Sequence, residues 1–357
     1  MQIVIEPLGP NARKPLAEPL AFGKVFTNRM FWQKYTPELG WHDARISPYQ
    51  PLVLDPATLV FHYGQEVFEG TKAYRRPDGH INLFRPWENT NRMARSAQRM
   101  AMVAPDPESH LEAMIALVRA EHEWVPSGAN ESLYIRPTLI AADVSLGLSA
   151  SRTYLHYIIL SPAAPYFGNG FKPVSVHVST EYVRAVRGGT GAAKTGGNYA
   201  ASLLESERVK PLGYQQVLWL DAIERRYVEE VGAMNIAFVY NGRRIVTPAL
   251  TGTILEGITR DSVLKLAPTL GYEVEEARLD IHDVLRDIAS GEITEVFGMG
   301  TAAVIAPVDR LGYAGKDYFV RQAPGPIAQH LLQALTDIQY GRAPDPFNWT
   351  LKIEVPS

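Results

Sequence analysis

A single lysine stands among five glycines in the segment Gly188-Gly189-Thr190-Gly191-Ala192-Ala193-Lys194-Thr195-Gly196-Gly197-Asn198-Tyr199. Glycine lets a backbone take positive φ and lie close to another molecule, so the segment is suited to bringing one amine against a ligand. Two chemistries fit. A phosphate-binding loop needs only glycine in place of Ala193, and Val217-Leu218-Trp219-Leu220-Asp221 could serve as the acidic strand that holds magnesium, which together would make a nucleotide hydrolase. Against it, the residue before the lysine is where such a loop curls round phosphate, and Gly196-Gly197 is a poor start for the helix that must follow. The second chemistry is a Schiff base between the Lys194 amine and pyridoxal phosphate, which requires a partly desolvated, neutral amine at the moment of attack. A loop lysine taken alone is most often solvated, so the rest of the chain has to decide.

The elements that must position this lysine divide into two lobes, as 357 residues exceed the usual single core. The first half reads as strands over Phe61 to Glu69, Thr71 to Arg75 and His80 to Phe84, with a Pro77-Asp78-Gly79 turn. A helix over Pro107 to Trp124 follows, with Leu111, Met114, Ile115 and Val118 on one face, then strands at Ser132 to Ile140 and Tyr154 to Leu160. The expected layout is a smaller α+β domain over 1–166, an interdomain loop over 161–172 and a larger domain over 173–357. In the second lobe Val174, Val176 and Val178 alternate as a strand, Gln216 to Leu220 forms another, and Asn241-Gly242 turns a hairpin. Helices are expected at Thr259 to Leu270 and Pro326 to Tyr340.

Composition narrows the partners. Hydrophobic residues at 46% and charged residues at 20% are a globular mix, and 35 basic against 38 acidic residues leave −3, with no concentrated positive charge for nucleic acid. The absence of cysteine removes disulfides, thiolate metal sites and thiol nucleophiles, and fits a cytoplasmic setting. Thr153 to Phe171 is uncharged but broken by Pro162, Pro165, Gly168 and Gly170, so no membrane span is expected, and the first residues lack a secretory pattern. No two of the nine histidines lie within four residues, so a catalytic metal is not expected.

Several further motifs stand in order with Lys194-Thr195-Gly196-Gly197-Asn198-Tyr199. They are Glu229-Glu230-Val231-Gly232-Ala233-Met234-Asn235, Thr251-Gly252-Thr253-Ile254-Leu255-Glu256-Gly257-Ile258-Thr259-Arg260 and Phe297-Gly298-Met299-Gly300-Thr301-Ala302. Upstream are Phe68-Glu69-Gly70-Thr71-Lys72-Ala73, Leu83-Phe84-Arg85-Pro86-Trp87 and Leu133-Tyr134-Ile135-Arg136-Pro137. In this order, over roughly residues 20 to 345, they resemble the branched-chain amino acid aminotransferases, fold type IV pyridoxal phosphate enzymes. The resemblance implies an α+β and α/β two-domain fold of the D-amino acid aminotransferase type, with the active site between the lobes, and at least a homodimer. The activity it implies is exchange of the amino group between leucine, isoleucine or valine and 2-oxoglutarate.

Carried across, Lys194 would form the Schiff base and move the substrate's Cα proton. Glu230 would face the pyridine nitrogen and keep it protonated, so that the ring accepts electrons. Gly257-Ile258-Thr259 would offer backbone N–H groups and a helix dipole to the phosphate, joined by Arg85 and Thr301, and Tyr199 would hydrogen-bond the phenolic oxygen. Tyr63, Tyr134 and Arg136 would belong to the substrate's carboxylate and side-chain region, Phe68 and Tyr166 to its walls, and Ala302 beside the carboxylate. Tyr166, in the interdomain loop, could close over substrate. Either Arg136 or a tyrosine hydroxyl could hold the second carboxylate of glutamate.

Two departures stand out. Ala303-Val304-Ile305-Ala306 occupies the place where animal members carry Cys-x-x-Cys, so a thiol switch cannot operate. Ala233 replaces a threonine common in relatives and removes one hydroxyl near the substrate. A D-amino acid aminotransferase, an aminodeoxychorismate lyase or a carrier that binds the cofactor without turnover would share much of the pattern.

Overall fold

The computed structural model describes residues 1–10, 12–13, 22–164 and 171–356. Tyr166 and most of the expected interdomain loop therefore lie outside the described residues. The chain divides into two compact units, each built round its own sheet.

The first unit begins with strands β1 (Val4–Ile5), β2 (Arg29–Thr36) and β3 (Gly40–Pro48). Where one strand is expected from Phe61 to Glu69, the structure has a short helix α1 (Leu59–Tyr63), then β4 (Glu66–Phe68). The reason is Gly64, which takes φ 59° and donates its N–H to the Val60 carbonyl at 3.1 Å, closing a helical turn that an extended run cannot make. Strands β5 (Thr71–Arg75) and β6 (Ile81–Phe84) form the expected hairpin. Helix α2 (Pro86–Arg99) follows, with Pro86 at its first position, where a missing N–H costs nothing.

Helix α3 (Pro107–Ala120) starts where the Asp106 carboxylate accepts from the N–H groups of Glu108 and Ser109. It ends four residues before the expected Trp124, which lies in a separate 3₁₀ turn. Its buried stripe is Ala113, Met114, Leu117 and Val118; Leu111 and Ile115 are only partly covered, so the apolar face is turned from the expected one. These residues pack with Phe31 and Ile46 and with Leu133, Ile135, Ile158 and Leu160 from β7 (Ser132–Ala141) and β8 (Tyr154–Ala163).

The second unit opens with β9 (Val174–Val178), followed by α4 (Gly196–Val209). Strands β10 (Gln216–Leu220), β11 (Val228–Val231), β12 (Asn235–Tyr240) and β13 (Arg244–Pro248) come next, with Asn241-Gly242 in the hairpin turn as expected. Helix α5 (Ile258–Leu266) is shorter than expected, because Ala267–Leu270 tighten into a 3₁₀ turn containing Pro268. Strand β14 (Glu273–Ala277), α6 (Ile281–Ser290), β15 (Ile293–Gly300), β16 (Val304–Tyr313), β17 (Lys316–Phe319) and α7 (Pro326–Gln339) complete the run. The sheet order is β11-β10-β9-β16-β15-β12-β13-β14, with β17 on β16.

The chain then returns to the first sheet. Strand β18 (Thr350–Ile353) pairs antiparallel with β6, so Asp337–Ser357 belongs to the first unit and not to the second lobe expected over 173–357. Ala193–Gly196 also belongs to the first unit. The order there is β1-β3-β2-β8-β7-β5-β6-β18, with β4 on β7.

On α3, His110 is buried with its ring 4.7 Å from that of His156 on β8, and Gln33 lies 3.1 Å from His156 Nδ1. Burial pushes His110 down to about 4 and His156 well below the ordinary histidine range. A base whose folded pKa lies below its unfolded value binds more protons when unfolded, so stability must fall as pH drops from about 6.5 towards 4. We expect a loss of up to ~3 kcal/mol from His110 over that interval. A His110→Gln variant should show a shallower slope in urea unfolding at stepped pH; an unchanged slope contradicts the assignment.

Candidate active site

Lys194 is held by its peptide. Its N–H donates to the Ser96 hydroxyl of α2 at 2.9 Å, and its carbonyl accepts from the Phe68 N–H at 3.0 Å. With both polar backbone groups bonded, the segment is fixed by hydrogen bonds where it lacks regular structure. The Nζ stands 4.8 Å from the centre of the Phe68 ring, within cation–π reach. Next in the chain, Gly196 donates its N–H to the Glu66 carboxylate, and a Cβ on Gly196 would stand 2.4 Å from Glu66 Oε1. Burial pushes the Glu66 carboxyl up from its ordinary range.

The expected weakness of Gly196-Gly197 as a helix start is therefore corrected: α4 begins at Gly196. The Glu66 carboxylate supplies the acceptor for the first-turn N–H of Gly196, and Asn198 Nδ2, donating to the Thr190 carbonyl at 2.8 Å, ties the first turn of the helix to the loop before it. The nucleotide-hydrolase reading fails for other reasons. No strand leads directly into the loop, since β9 ends at Val178. Asp221 is also committed, accepting from the backbone N–H groups of Ile223, Glu224, Arg226 and Tyr227 at 2.8–3.1 Å.

Beside Lys194 in the first unit, Glu69 is fully buried. It takes two bonds from Arg92, at 2.7 and 2.9 Å, and one from Asn89 at 2.8 Å. Burial works to raise its pKa, but the Arg92 charge and hydrogen bonds, with help from Lys194, hold the carboxyl below its ordinary value. Arg136 on β7 lies over two rings, 4.8 Å from Phe68 and 5.2 Å from Tyr134, and its Nη2 donates to the Tyr134 hydroxyl at 3.0 Å. Among the described residues its Nε is buried with no hydrogen-bond partner. Phe68, Tyr134, Arg136 and Lys194 thus form one cluster. Tyr63 stands outside it on α1, its hydroxyl donating to the Leu146 carbonyl. Arg85 takes φ 48° before α2, with its guanidinium 5.3 Å from the Trp349 ring centre.

A second cluster lies in the second unit. Glu230 on β11 is buried and accepts from Arg184 Nε at 2.8 Å, the Leu255 N–H at 2.7 Å and Asn235 Nδ2 at 3.4 Å. Asn235 also donates to the Leu255 carbonyl at 3.0 Å, and a Cβ on Gly257 would stand 1.9 Å from its Oδ1. Glycine is therefore required at the N-cap of α5, where Ile258 and Thr259 begin the helix without a side-chain cap. The pairing of Asn235 with Met299 sets the Gly300-Thr301-Ala302 turn close to the same place. Tyr199 lies in the first turn of α4. Arg184, Asn235, Ser96, Glu66 and Arg92 are the residues that sequence reasoning missed as site residues; only Asn235 stood inside a recognised motif.

Residues 66–311 match the family described as amino-transferase class IV. The chain belongs to the class IV aminotransferase family. "Branched-chain-amino-acid transaminase 1" of Bacillus subtilis is 52% identical over 342 residues, covering 95% of this chain and 96% of that protein. A "probable branched-chain-amino-acid aminotransferase" of Streptomyces coelicolor is 50% identical over 345 residues, covering 96% and 95%. Among solved structures, the branched-chain amino acid aminotransferase of Thermobaculum terrenum in its PLP form has a TM-score of 0.77 at 25% identity, covering 92% of this chain and 99% of that one. The branched-chain amino acid aminotransferase of Escherichia coli has a TM-score of 0.76 at 27% identity, covering 92% and 99%.

Within this aminotransferase one steric requirement is plain. A Cβ at Gly70 would meet the Tyr134 hydroxyl at 2.0 Å and its Cζ at 2.8 Å. Gly70→Ala should displace Tyr134 and lower the unfolding free energy by about 1–3 kcal/mol in denaturant titration. A variant as stable as the parent contradicts this packing.

Proposed function

We infer that the chain is a pyridoxal phosphate-dependent branched-chain-amino-acid transaminase, exchanging the amino group between leucine, isoleucine or valine and 2-oxoglutarate. The observation that carries this reading is identity of 52% with a transaminase of that name over 95% of the chain. D-amino acid transfer, the lyase reaction and cofactor carriage without turnover are not favoured by relatives so named.

The residues present suit the cofactor. An amine is held at a fixed peptide in Lys194. A desolvated carboxylate stands at Glu230, and bare backbone at Gly257 leads into the N-terminus of α5. When bound, pyridoxal phosphate supplies an aldehyde carbon for the amino group and a ring that withdraws electrons from the substrate's Cα. In this reading Lys194 Nζ would take the Cα proton and later return it. Glu230 would keep the ring nitrogen protonated. The amides of Ile258 and Thr259, with Arg85 and Thr301, would hold the phosphate, where the helix dipole favours an anion. Tyr199 would donate to the phenolic oxygen.

In this reading Tyr134, Arg136 and Ala302 would receive the carboxylate and side chain of substrate, with Phe68 as an apolar wall. Tyr63 stands outside their cluster, and Tyr166, the other expected wall, lies outside the described residues. For the second carboxylate of glutamate the geometry favours Arg136: its guanidinium lies over two rings and, among the described residues, nothing bonds its Nε, whereas the Tyr63 hydroxyl is committed to Leu146. Purified protein should show an absorbance change on adding L-leucine and should convert L-leucine and 2-oxoglutarate to products. Lys194→Ala should lose turnover by at least about a thousandfold. Turnover of D-alanine alone would remove the branched-chain assignment.

A homodimer belongs to the same reading. Phe61, Val144, Leu146 and Leu148 are 60–80% exposed, and backbone bonds between Ala57–Leu59 and Asp143–Ser145 bring their segments together. An exposed apolar patch of this kind suits a second copy of the chain. Leu146→Glu with Leu148→Glu should convert the dimer to monomers in light scattering; a pair of changes that leaves the mass untouched places the interface elsewhere. A cytoplasmic location, where free amino and oxo acids meet, is also proposed, and cell fractionation tests it. Among the described residues no helix is long and apolar enough to cross a membrane.

A further inference from the structure

Arg184 enters none of the roles above, yet it is buried at the centre of the second unit's cluster. Its Nε meets Glu230 Oε2 at 2.8 Å, with side-chain exposures of 5% and 3%. Its Nη1 donates to the Thr253 carbonyl at 2.8 Å, and both Nη atoms reach the Gly191 carbonyl at 3.3–3.4 Å. A planar guanidinium tied along one edge to two carbonyls has little freedom to turn, so it presents Nε to Glu230 in one orientation.

We propose that Arg184 is a positioning residue that keeps the shared proton on the cofactor's ring nitrogen by holding Glu230 as the anion. The inference rests on the reading of Glu230 as the carboxylate that faces that nitrogen. A pyridine nitrogen and a carboxylate joined by a hydrogen bond share one proton, which resides on the stronger base. A cation beside the carboxylate stabilises its anion and weakens it as a base, and burial strengthens that effect. The proton then stays on nitrogen, where it makes the ring an electron acceptor. Without Arg184, the buried carboxylate is the group that gains the proton and the ring nitrogen becomes neutral.

A purely structural role is the competing account, since Arg184 also ties the loop before Lys194 to the segment before α5. A Cβ on Gly191 would stand only 2.4 Å from the Thr253 carbonyl oxygen, so those two segments already pack closely without help from the arginine. The two accounts differ in what happens at the nitrogen.

The test uses the full chain reconstituted with pyridoxal phosphate carrying ¹⁵N in the ring. The wild type should give the ¹⁵N shift of a protonated pyridinium, and Arg184→Gln should move it towards the neutral value. In the same variant the half-reaction with L-leucine should slow by about tenfold or more with KM little changed, and Arg184→Lys, which keeps the charge, should recover part of both. A protonated nitrogen in Arg184→Gln overturns the proposal, whether or not activity falls. If Arg184→Gln does not fold or retain cofactor, Arg184→Lys decides. A nitrogen that loses its proton at a pH about one unit or more below wild type supports the proposal, and an unchanged midpoint overturns it. A wild type that binds no pyridoxal phosphate defeats the parent reading instead, while a protonated wild-type nitrogen indifferent to residue 184 defeats this inference alone.

Discussion

Two backbone hydrogen bonds fix where the Lys194 amine can go. Lysine carries a long stem of freely rotating bonds, and an amine on such a stem can be aimed only if its anchor point does not move. Lys194 has no helix or strand around it; the Ser96 hydroxyl takes its N–H and the Phe68 N–H binds its carbonyl. The same turns of α2 that supply Ser96 supply Asn89 and Arg92 to Glu69, at spacings of three and four residues that share one helical face. One polar face of one helix thus sets the lysine's backbone and the buried carboxylate near its amine.

Two buried carboxylates in this protein are each paired with a buried arginine. Glu69 has Arg92 and Glu230 has Arg184, each within 2.8 Å, and in both cases a further donor reaches the carboxylate. A carboxylate left alone at such depth would take up a proton and lose its electrostatic effect. The pairing costs conformational freedom and brings order: Arg184 and Asn235 each bond to backbone on a separate loop, so the charges and the loops around them are set by the same bonds.

Much of this was legible in the sequence. The strand at Val174–Val178, the Asn241-Gly242 hairpin and the helix starting at Pro107 followed from alternation, turn chemistry and helical spacing. The family was legible because glycines at sterically closed positions, such as Gly257 against Asn235, cannot be exchanged and so mark motifs. What was illegible depended on contacts distant in sequence. Phe61 and Tyr63 carry strand-forming side chains, yet Gly64 closes them into a helical turn. Nothing in residues 337–357 shows that β18 pairs with β6, more than 260 positions upstream. Arg184 and Ser96 look like ordinary polar residues until their partners are known.

The central claim is that a fixed backbone, and not proton affinity alone, selects the amine that bonds the cofactor. Lys72 supplies the contrast, since it is buried and desolvation pushes it down to about 8, giving it a larger neutral, nucleophilic fraction near neutral pH than an ordinary lysine has. Borohydride reduction of the cofactor-loaded protein, followed by peptide mass mapping, locks the cofactor to whichever lysine holds it. The account predicts a reduced pyridoxyl phosphate on the peptide containing Lys194 and an unmodified Lys72; the adduct on Lys72, or on any lysine other than 194, would contradict it.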